Sequence, residues 1–331
     1  MRKVNHELAE LQSRFLEYYK QNLGHKFAGL EDMRKENLFF FWKWLVIFVL
    51  IAGFWISLNS FGVLSAEIYD DKNWGCYAVG LYLVVVFEVL NRPVADFKIK
   101  TKVMTMGRIL DFFGNFKYQA GKCTRACDVE KCKLFGPFDK QHGDDFFCGR
   151  YKNVQIQVSE ERLTKRVRTK NGYRDATIFG GIIIILEMNK NFSGQTIVRK
   201  DWGIFNFLMI APRCSVQQQE IKMANVKLED CVFEKKFEVF STDQVEARYL
   251  LTTAFMERIL EVKKRFHGKK IQLSFFDNKL LIAVDTSKDM FETTSLFGTT
   301  ARYGRMRDVV GQFHSIFSVI DLLKLNQKTN L

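Results

Sequence analysis

Asp243, Glu246, Arg248 and Glu257 bring three carboxylates and a guanidinium into one short stretch of the chain. Carboxylates flanking an arginine can do acid or base chemistry when burial separates their pKa values. The same spacing has a plainer use. Asp243 and Glu246 fall in the first turn of a short helix, where negative charge offsets the macrodipole and an arginine nearby makes an ordinary ion pair. The plainer use requires no cleft, so the expectation is noncatalytic. His267, before Gly268, and His314 stand apart, with no serine or cysteine beside them in an elbow motif. Gly180-Gly181 lacks the Gly-Lys-Ser/Thr context of a phosphate loop.

A second cluster raises metal chemistry. Cys123, Cys127 and Cys132 succeed one another, with His142 and Cys148 downstream. Structural zinc sites pair their ligands at about two to four intervening residues, twice over, and here the second pair is missing. Neighbours Val129, Leu134 and Phe135 suit small buried thiols instead. The chain holds 7 cysteines, and an odd number argues against a complete disulfide framework. No metal and no cofactor is expected.

The elements that carry these residues are legible in outline. Residues 237–240 form a strand pattern, and Ser241 with Gln244 three places on has the spacing of a capping box. Thr252-Thr253 opens a second helix whose Phe255, Ile259, Val262 and Phe266 share a face. Upstream, the alternation over residues 149–158 predicts a half-buried strand. Asn171-Gly172 predicts a hairpin turn, and so does Asp277-Asn278 between residues 270–276 and 279–285. The run Ile182-Ile183-Ile184-Ile185-Leu186 is too short to cross a bilayer and predicts a strand buried on both faces. From Met306 to about Leu325 the apolar residues fall at helical spacing, and near the start Leu8, Leu11, Phe15, Leu16 and Tyr19 mark one face of a helix over residues 6–22, with Gly24 as its terminator.

Two apolar stretches, residues 39–64 and 74–90, set the location of everything else. A hydrocarbon core of roughly 30 Å takes about 20 apolar residues to cross as a helix, with about 17 as the lower limit. A transmembrane hairpin is expected over residues 38–91, followed by a break at Arg92-Pro93 and a basic juxtamembrane helix over residues 92–114. Lys43 and Glu88 lie near span ends, where a charged head reaches the interface. Cations stand before the first span (Arg14, Lys20, Arg34, Lys35) and after the second (Arg92, Lys98, Lys100, Lys102, Arg108), whereas the connector sets Lys72 against Glu67, Asp70 and Asp71. Both termini are therefore expected on the cytoplasmic side of a multi-pass protein, with no cleaved leader.

The net charge of +13 over 331 residues need not mean nucleic acid. Anionic lipid headgroups attract juxtamembrane Lys and Arg, and Lys165-Arg166-Val167-Arg168 and Lys263-Lys264-Arg265 sit on separate elements without an aromatic stacking platform between them. The expected partners are the lipid bilayer, its anionic headgroups, and a protein partner or a second copy of the chain; nucleic acid is not among them. The fold class is α+β: a transmembrane helical hairpin followed by a β-rich cytoplasmic domain, residues 115–291, with flanking helices over residues 1–37 and 292–331.

Val226-Lys227-Leu228-Glu229-Asp230, Phe233 to Phe240, and Asp243-Gln244-Val245-Glu246-Ala247-Arg248-Tyr249-Leu250-Leu251-Thr252 with Ala254 to Arg258 resemble the signature of the bacterial DUF3137 family, whose function is unknown. Gly149 to Lys152 and Met188 to Phe192 are similar to its pattern as well. The likeness covers roughly residues 118–289. Thr253 stands where the pattern has proline at the first helical position, which leaves the helix start intact. The resemblance implies an apolar hairpin ahead of the domain in a bacterial inner membrane, and it supplies no catalytic residue. Residues 243–258 are its most specific part, so Asp243, Gln244, Glu246, Arg248, Tyr249, Glu257 and Arg258 become the candidate recognition face of a membrane-anchored binding or scaffold protein. The alternative is a membrane-tethered hydrolase or transferase using the acidic residues near Arg248.

Overall fold

The structure is a computed structural model that describes residues 2–24, 28–60, 74–170, 172–200, 223–266, 270–286, 289–293, 295–298 and 303–325. It combines helices with an antiparallel sheet, an α+β fold. Two compact units are described in turn: Met1–Gln12, Gly107–Glu292 and Asp308–Leu331 make one, and Ser13–Met106 with Thr293–Arg307 the other.

The second unit is helical and takes in residues 13–18 of the first helix, the whole of the second and residues 74–106 of the third. Helix α1 spans Arg2–Tyr18, α2 spans Ala28–Ser60 and α3 spans Trp74–Asp111. The predicted first helix is longer than its apolar stripe, and Gly24 is no left-handed cap. It keeps right-handed dihedrals and donates its N–H to Tyr19 O at 2.9 Å, closing a π-type turn over Tyr19–Leu23. Within α2 and α3, Gly29–Ser57 and Tyr77–Asp111 are long and apolar enough to cross a membrane by length and composition. The two helices meet where the Tyr82 hydroxyl donates to the Phe48 carbonyl and the rings pack edge to face at 5.9 Å. The expected break at Arg92-Pro93 is absent, because α3 runs through Pro93. Proline there removes one N–H to the carbonyl a turn earlier. The helix continues beyond it, with buried Thr101 and Thr105 donating back to the Phe97 and Thr101 carbonyls at 2.6 and 2.8 Å.

The first unit is built on a nine-stranded antiparallel sheet in the order β1-β2-β3-β4-β9-β8-β5-β7-β6. Its strands are β1 Phe116–Ala120, β2 Lys140–Tyr151, β3 Val154–Thr169, β4 Gly172–Glu187, β5 Thr196–Lys200, β6 Ala224–Asn225, β7 Phe237–Ser241, β8 Ile271–Phe276 and β9 Lys279–Asp285. The helices are α4 Ala126–Lys131, α5 Cys231–Glu234, α6 Gln244–Leu250, α7 Thr253–Arg265 and α8 Tyr303–Leu323. Residues 149–158 are not one strand. Lys152 and Asn153, with φ of 45° and 68°, turn the chain between β2 and β3. Both adopt the left-handed backbone of a two-residue hairpin turn without a glycine to announce it. Asp277 and Asn278 (φ 48° and 57°) make the expected turn between β8 and β9, and β3 pairs with β4 out to Thr169 opposite Gly172, with Asn171 outside the described residues.

Cross-strand register explains the isoleucine run. Phe147, Val158, Ile184, Ile282, Leu273, Val198 and Val239 lie opposite one another across successive strands, so they share one face. Phe313 and Phe317 of α8 cover that row at Phe147, with ring centroids at 4.9 and 6.5 Å, and Phe255 of α7 packs on Phe275 at 6.0 Å. The other face carries Ile183, Ile185, Leu281 and Ala283, buried with Val129, Cys132 and Phe135 from α4 and the loop after it. A strand covered on both sides has no polar face, hence Ile182 to Leu186 without interruption. Gly181 earns its place by absence: a Cβ there would run into the Val284 carbonyl of the adjoining strand.

Candidate functional site

Residues 243–258 form α6 and the first part of α7, joined by Leu251 and Thr252. Asp243, rather than Ser241, caps α6: its carboxylate accepts from the N–H groups of Val245 and Glu246 at 2.8 and 3.1 Å. Ser241 is the last residue of β7, where its hydroxyl donates to the Asp243 carbonyl at 2.7 Å. Thr252 caps α7, accepting from Phe255 N–H at 3.4 Å.

Glu246 points back to the loop that leads into β5. One carboxylate oxygen accepts from Ser193 N–H at 2.8 Å and the other from Gly194 N–H at 2.7 Å. Thr242 adds two bonds to the same loop, accepting from Gln195 N–H at 2.9 Å and donating its own N–H to the Gln195 carbonyl at 3.0 Å. Of the acidic groups near Arg248, Glu246 therefore stitches helix to loop and Asp243 caps its own helix. Arg248 lies apart from them, exposed, on the wall of a pocket of about 110 Å³ completed by Leu228, Glu229, Leu251, Thr252, Thr253 and Met256. Neither Asp243 nor Glu246 lines it.

The other candidates spread over the same two helices. Gln244 and Glu257 are exposed and Arg258 is half-buried. Tyr249 is exposed and carries the Lys190 ammonium 4.4 Å above its ring. Burial lowers the Lys190 pKa from its usual value. With Val245 at 76 % exposure beside Tyr249 on α6, the surface is partly apolar around a single arginine. Such an arrangement can seat a side chain against the apolar rim and hold an anionic group at Arg248; Glu229 shares the pocket wall with Arg248, whereas Asp243 and Glu246 stay outside it.

The cysteines do not gather into a ligand group among the described residues. Cys123 donates weakly to the Gln141 carbonyl at 3.7 Å, Cys127 is exposed, and Cys132 is buried with its thiol on the Val129 carbonyl at 3.0 Å. Burial pushes the Cys132 thiol up to about 12. A group absent from the sequence-derived candidates is acidic: one oxygen each of Asp144, Asp145 and Glu160 lies within 4.8 Å of the others. Tyr118 donates to Asp145 at 2.5 Å and Met290 N–H donates to both Glu160 oxygens at 3.0 and 3.1 Å. Burial, and next the Asp145 charge, raises the Tyr118 pKa. The adjacent Asp144-Asp145 pair was the visible signal, but Glu160 joins it only through the pairing of β2 with β3 at a bulge between Gly143 and Phe146.

No curated protein matches this chain. Among solved structures, the crystal structure of the mycobacterial trehalose monomycolate transport factor A, TtfA, is similar at 9 % identity, covering 68 % of this chain and 94 % of that one. Its TM-score is 0.33, and at that score the likeness says nothing of what this chain does. The family match begins in β4 and ends just past α8, later at both ends than residues 118–289. Over residues 177–325 the chain matches the family described as "Protein of unknown function (DUF3137)", so the resemblance read from its helical signature holds across that stretch.

Proposed function

We propose that the protein is a bilayer-anchored binding or scaffold protein of the bacterial inner membrane, with α6 and α7 as its recognition face. One observation carries the anchoring: α2 and α3 turn many large apolar side chains outward. Phe39, Leu50, Phe54, Leu81 and Phe87 are each between 67 % and 70 % exposed. A helix that exposes such side chains along its length needs an apolar solvent, and lipid supplies it. The cations flanking both spans support a cytoplasmic location for both termini.

The noncatalytic reading is favoured by the disposition of Asp243 and Glu246, whose carboxylates are engaged by backbone N–H groups rather than aimed at Arg248. The partner is a protein, or a second copy of this chain, that offers a carboxylate or another anionic group to Arg248 and apolar contact to Val245 and Tyr249. The test is crosslinking in intact membranes with identification of captured chains, comparing the native protein with Arg248→Ala and with Val245→Asp. Loss of one specific captured chain, with the protein still folded, supports the reading; an unchanged capture profile overturns it. Anchoring is tested separately by flotation with vesicles after a high-salt wash, where a chain left at the bottom of the gradient overturns it.

A further inference from the structure

The hairpin of β3 and β4 continues past its neighbours. β2 leaves β3 at Lys140 opposite Thr164, and β9 leaves β4 at Gly181 opposite Asp285, while β3 and β4 stay paired out to Thr169 opposite Gly172. Residues 165–169 and 172–176 are therefore a two-stranded ribbon, with no third strand beside it among the described residues. Lys165, Arg166, Arg168, Lys170 and Arg174 are all exposed on it. The acid within the ribbon, Asp175, is held by Lys140 at 2.8 Å. None of the ribbon's own cations makes an ion pair among the described residues.

Register distributes these charges over both faces: Arg166 and Arg168 stand opposite Asp175 and Tyr173, and Lys165 and Arg174 opposite Ala176 and Val167. A ribbon so charged gains little from packing on its own domain; Asp175 offsets part of its self-repulsion, and an anionic surface would offset the rest. Tyr173 is 65 % exposed near the tip, with the Arg166 guanidinium 4.7 Å from its ring. Tyrosine beside clustered Lys and Arg is the composition that settles at a bilayer interface. Binding of bases by stacking takes a row of rings, and Tyr173 is the ribbon's only aromatic residue.

We infer that this basic ribbon is a docking arm for anionic lipid headgroups, a second lipid contact in addition to the apolar helices. The inference rests on the bilayer-anchored reading given above. The full chain is placed in nanodiscs of phosphatidylcholine alone, or with phosphatidylglycerol added, and trypsin cleavage after Lys165, Arg166, Lys170 and Arg174 is followed by mass spectrometry. Phosphatidylglycerol should slow these cleavages by about tenfold or more at low salt, and high salt should abolish the protection. In an Arg168→Glu/Lys170→Glu variant the lipid dependence at the remaining sites should vanish, while unchanged cleavage after Lys263 and Lys264 reports intact folding.

Equal cleavage in both lipids overturns the inference. So does protection by an added single-stranded oligonucleotide in phosphatidylcholine discs without protection by phosphatidylglycerol, which assigns the ribbon to nucleic acid. A chain that fails to enter the discs overturns the anchoring alone; the ribbon is then tested with phosphatidylglycerol vesicles added from outside, where unchanged cleavage overturns the docking arm too.

Discussion

Glu246 and Gly194 hold each other across the chain: the Glu246 carboxylate accepts the Gly194 N–H at 2.7 Å, and the place of a Gly194 Cβ is filled by that same carboxylate. Removing the carboxylate orphans two backbone N–H groups, those of Ser193 and Gly194. Water can reach the exposed Ser193 N–H, so Glu246→Ala should destabilise the protein by about 0.5–1.5 kcal/mol, measured by thermal unfolding. Arg248→Ala, at an exposed position, should stay within about 0.5 kcal/mol. A large loss at Arg248 would mean that its guanidinium serves the fold, and its use as a recognition group would be in doubt.

Asp243 makes a second and separable contribution. As the cap of α6 it satisfies two N–H groups at the helix start, so Asp243→Ala should cost about 0.5–2 kcal/mol while Asp243→Ser recovers most of it. Captured partners should be the same for Asp243→Ser and the native protein. A capture lost in the serine variant at native stability would place the carboxylate in recognition.

His314 on α8 responds to acid in a predictable direction. Burial, followed by the Arg265 charge, lowers its pKa, against weaker opposing effects from Glu7 and Asp321. The unfolded chain then binds a proton more readily than the folded one, so stability falls as pH drops below about 6.5 towards the depressed folded value. Thermal midpoints at roughly pH 7.5 and pH 5.5 should differ more in the native protein than in His314→Gln, since only the former carries this histidine's protonation penalty. An equal drop in both proteins would remove His314 from the account.

Thiol reactivity should follow burial. Cys127 and Cys231 are exposed, whereas Cys132 is buried with its thiol pushed up to about 12. Alkylation at neutral pH read by peptide mass spectrometry should modify the first two and spare Cys132 until the protein unfolds. Early modification of Cys132 would mean that α4 opens readily from the sheet.

The turn between β8 and β9, the isoleucine strand and the helical faces of α7 and α8 could be read from the sequence because each depends on local order. Asp277-Asn278 tolerates the left-handed backbone its turn requires, a run of β-branched residues suits a strand covered on both faces, and Phe255, Ile259, Val262 and Phe266 recur with the helical period. Local signals misled where two outcomes shared one pattern. Lys152-Asn153 makes a tight turn without the glycine that would have marked it, and Pro93 removes one N–H from a helix that continues regardless. What only the tertiary structure decided were the long-range partners. Glu246 meets a loop 52 residues away and Glu160 meets Asp144 and Asp145 across a strand pair, so their carboxylates became a stitch and a cluster through pairing that no neighbouring residue specifies. Backbone periodicity is written locally, but the use of a charged side chain depends on what the completed fold places within a hydrogen bond of it.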